Sequence, residues 1–274
     1  MPGFPVFQIV LNSFLSMKEE ASSDSLVLFL LMGASNLARG YSMLSHTLSK
    51  SLENKNSKFL NALGPGRAVC ARGGMFNFTY SPIKDCRVIE KAEKETKKAS
   101  RTAVLITDIG NDLMYGISAD TLIENLDEMI NRMLGWDADI FLTSIHVDLK
   151  RDVSPRTFLF LRFFFYPGSK VTYEETDSFV VKVNEYLKEK SEKNERVHLI
   201  TGMGSFAGLD KIHYSLSKTH SAWSLVADEI LRVLNLSSKN KLRLSDGIKS
   251  VAANLSRLIF CDMFRFRKKG REYF

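Results

Sequence analysis

The chain has 274 residues, enough for one large core or for a domain with an appendage. Its 45% hydrophobic and 25% charged residues are ordinary for a globular protein, and no apolar run reaches the roughly 18–20 residues that span a membrane. The net charge of +7 sits at one end: Lys239 to Phe274 holds ten Lys or Arg against three Asp or Glu, so the other 238 residues carry 28 of each sign and give no electrostatic reason to expect nucleic acid.

Residues 1–24 form a moderately apolar leader with no Lys or Arg before Lys18. A secretory signal needs a positive n-region, so the leader reads as flexible or loosely docked, with Met17 as an alternative start. Cys70, Cys86 and Cys261 are odd in number, far apart and without a CxxC pair. They point to a reducing, cytoplasmic setting and away from a disulfide framework or a structural zinc site.

Leu26 to Met32 is an uncharged apolar run broken by Gly33-Ala34-Ser35, as expected of a buried parallel strand that ends in a turn. Asn36 to Leu52 then has helical spacing. Lys58 to Leu63 reads as a strand closed by Gly64-Pro65-Gly66, Arg67 to Lys84 as irregular, and Asp85 to Ser100 as an exposed helix. Thr102 to Ile109 is the next buried strand, ended by Gly110-Asn111-Asp112. Ser118 is placed to cap an amphipathic helix to Leu134. Ala138 to Ile145 is a fourth strand, and Val147 to Val171 a long connection with the aromatic cluster FLFLRFFFYPG. A helix over Thr172–Lys190, a strand over Arg196–Thr201, a glycine-rich loop to Lys218 and a helix to Leu234 complete the series.

Five strands alternating with helices predict an α/β fold: a doubly wound five-stranded parallel sheet flanked by helices, spanning residues 25–236, with a basic helical extension at 237–274. Such sheets build sites at the carboxyl ends of their strands. That rule gathers Ser35, Gly64–Gly66, Asn111, Asp210 and His213 on one edge. Together these types suit acyl transfer. A serine attacks, a histidine takes the proton, an aspartate orients the histidine, and N–H donors receive the oxyanion. Taken alone, Ser35 would cap a helix and Asn111 would turn a loop.

At these residues the chain resembles the SGNH (GDSL-type) hydrolase family. GASN at Gly33–Asn36, LNALGPG at Leu60–Gly66, DIGND at Asp108–Asp112 and DKIH at Asp210–His213 follow the family's four blocks in order. The resemblance covers roughly Leu26 to Leu234. It implies a three-layer SGNH or flavodoxin-like sandwich and a nucleophile at Ser35. It also implies a base at His213, an orienting Asp210, and an oxyanion hole from Ser35 N–H, Gly66 N–H and the Asn111 amide. It departs at Ala34, where the family usually has Asp, and at Gly40, where the glycine after the serine is displaced. Gly64 and the pair Gly73-Gly74 compete with Gly66. No cofactor is implied, and the sequence has no metal-ligand cluster.

Other residues carry open readings. Arg67 is a partner for an anionic substrate group or a structural cation. Phe158 to Tyr166, with Arg162 and Phe164, is core or the wall of an acyl or aromatic pocket. Asp108 is a buried hydrogen-bonding carboxylate or a functional one, and His146 a packing residue or a support of the site. In the extension, Ile248, Val251, Leu255, Leu258, Ile259 and Phe266 repeat at helical spacing beside Lys and Arg. Such a helix lies on an anionic membrane surface or packs on the body or a partner subunit. The functional expectation is a serine-dependent hydrolase of a small-molecule ester, thioester or acylated substrate. The alternatives are an acyltransferase and a non-catalytic ligand- or membrane-binding protein on the same scaffold.

Overall fold

The computed structural model describes residues 26–52, 55–75, 78–238 and 241–264; the leader and Phe266 lie outside the described residues. Among the described residues seven strands form in chain order: β1 (Leu26–Met32), β2 (Asn56–Ala62), β3 (Gly73–Met75), β4 (Phe78–Tyr80), β5 (Arg101–Ile106), β6 (Asp139–Thr143) and β7 (Val197–Ile200). β3 and β4 pair as a small antiparallel hairpin; the other five make one parallel sheet in the order β2-β1-β5-β6-β7. The apolar runs are continuous because both faces of this sheet are covered. Along β1, Leu28, Leu30 and Met32 enter one core, and Val27, Phe29 and Leu31 enter the other.

The helices are α1 (Ser35–Lys50), α2 (Arg87–Thr96), α3 (Asn111–Met114), α4 (Ala119–Leu134), α5 (Leu149–Asp152), α6 (Pro155–Phe165), α7 (Tyr173–Glu192), α8 (Thr219–Val233) and α9 (Leu244–Arg257). α2, α4 and α7 cover one face; α1 and α8 cover the other. The result is the expected three-layer α/β sandwich. Gly40 explains how closely α1 and α8 approach. A Cβ there would stand 1.9 Å from Trp223 Nε1, so only glycine admits the indole.

Two segments depart from expectation. The stretch read as irregular holds the β3–β4 hairpin and a 3-10 turn at Ile83–Asp85. The long aromatic connection holds α5 and α6. α6 has a helix start: Ser154 Oγ accepts the Thr157 N–H at 3.2 Å and Pro155 takes the first turn. Its apolar residues surround the helix on every side, and that hides the 3.6-residue period in the sequence.

The extension packs on the body through its small side chains. Ser250 Oγ donates to the Arg39 carbonyl of α1 at 2.7 Å, and Gly247 lies against Thr219 and His220 of α8. Of the apolar stripe, Ile248 and Leu255 face outward, 49% and 54% exposed, while Val251, Leu258 and Ile259 are half-buried. A π-helical turn, Leu258–Met263, follows. Among the described residues no helix is long and apolar enough to cross a membrane.

Candidate active site

β1 and β5 are neighbours in the sheet, and the chain leaves them toward opposite sides. Their carboxyl ends therefore bound a crevice at the point where the strand order reverses. The turn after β1 opens α1. Its N-cap is Ala34, which has no side chain to cap with, so Ser35 is the first helical residue and its hydroxyl is not consumed as a cap. The cap comes from the turn after β5. Asp108 Oδ2 accepts the Ala34 N–H at 2.9 Å and the Leu37 N–H at 3.1 Å. Its charge faces the positive end of the α1 dipole. Asp108 holds a left-handed backbone, φ 60°, a conformation aspartate tolerates better than most residues.

Asn36 ties this turn to the loop after β7. It is buried, its Nδ2 donates to Asp108 Oδ1 and to the Ile212 carbonyl at 3.1 Å each, and its Oδ1 accepts the Tyr214 N–H at 3.0 Å. The loop folds on itself through an Ala207–Tyr214 bridge and the Gly208 N–H to His213 carbonyl bond of 2.7 Å. Within it, Asp210 Oδ1 accepts the N–H groups of Ile212 and His213 at 3.1 and 2.9 Å. Its Oδ2 stands 2.7 Å from His213 Nδ1, and His213 Nε2 stands 3.0 Å from Ser35 Oγ. With the ring proton on Nδ1, directed at Asp210, Nε2 is free to accept the Ser35 proton. Burial opposes the Asp210 charge, but bonds from the His213 ring and from the His213 and Ile212 backbone outweigh it. They hold the carboxyl down at about 2.

Asn111 begins the short α3. Its Nδ2 donates to the Arg67 carbonyl at 2.8 Å and its Oδ1 accepts the Tyr166 hydroxyl at 2.5 Å. These two partners fix which end of the amide is the donor and leave a second N–H for a ligand. Ser35 and Asn111 line one cavity of about 140 Å³; Gly66 is not among its lining residues. Gly66 sits at φ 73° in the Gly64–Arg67 turn, closed by the Arg67 N–H to Gly64 carbonyl bond of 3.1 Å, and its own carbonyl accepts the Tyr115 hydroxyl at 2.7 Å. Asp112 fastens the loop beyond it by accepting the N–H groups of Val69, Cys70 and Ala71 at 2.8, 2.6 and 3.2 Å. Burial raises the Asp112 carboxyl, and those donors pull back against it.

Two residues read as candidates for substrate binding, Arg67 and Phe164, do not line the Ser35 cavity. Arg67 is 1% exposed, with Nη2 on Cys86 Sγ at 2.6 Å and its guanidinium over the Tyr80 ring, so its charge is spent inside the protein. Phe164 is 65% exposed and lines an adjoining open groove of about 1390 Å³, which shares Leu113, Met114, Tyr166 and Phe179 with the Ser35 cavity but includes neither Ser35 nor His213. α6 instead sends Phe158 and Leu161 into the Ser35 cavity, and sets Phe165 edge-on to His213 at 5.6 Å. Arg162 lines that cavity, with its guanidinium donating to the Val171 carbonyl at 2.5 Å. His146 also lines it. The imidazole is buried against Tyr214, burial lowers its pKa, and its Nε2 has no hydrogen-bond partner among the described residues. Among the described residues no three His, Cys, Asp or Glu side chains converge as metal ligands.

Sequence reasoning missed Tyr166 and Asn36. Asn36 stood within the GASN block, beside the serine that drew attention. Tyr166 was legible only as the end of the aromatic cluster read as core or pocket wall; its bond to Asn111 carried no signal.

No protein-family model matches the sequence, and no curated protein matches it. Solved structures do. A psychrotrophic esterase from Pseudoalteromonas sp. is 14% identical with a TM-score of 0.45, over 76% of this chain and 98% of that one. The chain is similar in structure to esterases and acylhydrolases. A member of the lipolytic protein G-D-S-L family from Veillonella parvula is 15% identical with a TM-score of 0.45, over 76% of this chain and 98% of that one. The lipase/acylhydrolase from Enterococcus faecalis is 14% identical with a TM-score of 0.47, over 77% and 98%.

Proposed function

We propose that the chain is a serine-dependent ester hydrolase of the SGNH type, with Ser35 as nucleophile, His213 as base and Asp210 as the group that orients it. One observation carries this reading: His213 Nε2 at 3.0 Å from Ser35 Oγ while Asp210 Oδ2 occupies the other ring nitrogen at 2.7 Å. Ser35 Oγ attacks the ester carbonyl as its proton passes to His213 Nε2. The carbonyl oxygen becomes an oxyanion, held by the free N–H of Asn111, by the Ser35 N–H at the head of α1 and, as the family resemblance implies, by the N–H of Gly66, which lies outside the lining of that cavity. Collapse breaks the ester bond, and the departing alkoxide takes the proton from His213. Water then repeats the sequence on the acyl-enzyme and restores the Ser35 hydroxyl. Each oxyanion donor is worth about 10²–10³ in rate. A fluorophosphonate probe tests the reading directly. It should label Ser35 in the wild type and nothing in Ser35→Ala, and that variant should lose turnover of nitrophenyl acetate. An unlabelled Ser35 in folded protein points to a binding protein instead.

A second reading concerns the extension. The exposed Ile248 and Leu255 lie in a segment with an excess of seven positive charges, which suits an anionic bilayer surface. Sedimentation with phosphatidylserine vesicles should pellet the full chain and leave the double variant Ile248→Asp, Leu255→Asp in solution. Equal pelleting of the two removes the proposal.

A further inference from the structure

The cavity that begins at Ser35 and Asn111 continues beneath α6. Its far walls are Leu149 and Val153 around α5, Phe158 and Leu161 of α6, and Phe179 and Val180 of α7. Leu149, Val153 and Phe158 form a small core of their own, apart from the two that flank the sheet. The Tyr173 hydroxyl closes the α5 turn by donating to the Leu149 and Val153 carbonyls at 2.8 and 3.0 Å. The walls are thus fastened independently of the triad. His213 is not among the residues that line this space, although Asp210, Ile212 and Tyr214 of its loop are, and 21% of its side chain is exposed.

That division sorts the two halves of an ester. The alcohol must pick up a proton from His213 and leave, so it belongs on the His213 side. The acyl group stays on Ser35 until water arrives, so it belongs in the apolar space. Size follows from volume. A dry, apolar cavity of about 150 Å³ in another protein holds a benzene molecule, and this one measures about 140 Å³. We infer, resting on the hydrolase reading above, that the cavity is an acyl pocket. It takes a short, branched or single-ring acyl group of about four to seven carbons and excludes fatty-acyl chains, with Phe158 and Leu161 setting the limit.

The test is a series of nitrophenyl esters from acetate to dodecanoate, with benzoate. Each carbon that enters the pocket should raise kcat/KM by about fourfold, up to roughly hexanoate. Dodecanoate should fall at least about tenfold below the best ester. Phe158→Ala should move the optimum to longer chains. Phe158 is buried, so Leu161→Trp serves as a second variant from a half-buried position; it should lower kcat/KM for hexanoate and benzoate at least about tenfold more than for acetate. Equal turnover of hexanoate and dodecanoate, or an unchanged profile in Leu161→Trp, overturns the pocket while leaving the hydrolase intact. Should no ester turn over and no probe label Ser35, the hydrolase reading fails and the pocket is judged by binding alone. Hexanoate should then raise the melting temperature of Ser35→Ala and dodecanoate should not; a shift with both, or with neither, overturns it.

Discussion

Asp108 accepts the Ala34 N–H at 2.9 Å across 74 positions of sequence, so the end of β5 caps the helix that begins at the end of β1. The SGNH pattern usually has an aspartate where Ala34 stands, and here the support arrives from the neighbouring strand. Asp108→Ala removes the acceptor of two N–H groups at a helix start. A loss of about 2–3 kcal/mol in urea unfolding is expected. Displacement of Ser35 should also cost roughly 10² in kcat/KM. Asp108→Asn keeps an acceptor and tolerates the left-handed backbone, so it should recover most of the stability. An alanine variant as stable and active as wild type would show that the turn holds itself.

Asp210 gives a pH signature. Its folded pKa of about 2 lies below its ordinary value near 3.9. The stabilisation it contributes is therefore complete above that ordinary value and drains away as pH falls toward 2. The gap in stability between wild type and Asp210→Asn should be constant from neutral pH down to about 4 and close below it. A gap that stays open at pH 2 contradicts the assignment. At neutral pH the same variant should lose about 10³–10⁴ in kcat, because the imidazole is no longer held in the right tautomer.

Tyr166 holds Asn111 through a 2.5 Å bond to its amide oxygen. Burial raises its pKa, so the hydroxyl remains a donor through the alkaline range. Tyr166→Phe should lower kcat by about tenfold with little change in KM, since the amide serves the oxyanion more than the bound ester. A rise in KM alone would assign Tyr166 to substrate binding.

Gly40→Ala tests the contact between α1 and α8. Alanine favours a helix by about 1 kcal/mol, yet its Cβ would fall 1.9 Å from Trp223 Nε1. Overpacking of this kind costs about 1–3 kcal/mol, so chemical denaturation should show a net loss. A more stable variant would mean that Trp223 has room to retreat.

The sheet was legible in the sequence because its central strands β1, β5 and β6 are buried on both faces and read as apolar runs, while the edge strands β2 and β7 are only partly buried. The site was legible because Ser35, Asn111, Asp210 and His213 each follow such a run. What stayed hidden was tertiary. Nothing near Asp108 announces that it caps a helix beginning 73 positions earlier, since 108 − 35 = 73. Arg67 next to a glycine turn looks like an anion site until Tyr80 and Cys86 fold over it. α9 shows an apolar stripe that reads as the inward face, whereas Gly247 and Ser250 face the body because small residues let helices approach.

The separation of Ser35 and His213 along the chain, 178 positions, also sets a clock. At about 5–20 residues per second, roughly 10–35 s of translation separate the two. Throughout that interval a nascent chain presents the hydroxyl with no imidazole beside it. On the proposed mechanism, polypeptides cut short before residue 213 should therefore be inert toward esters, however well their first strands assemble.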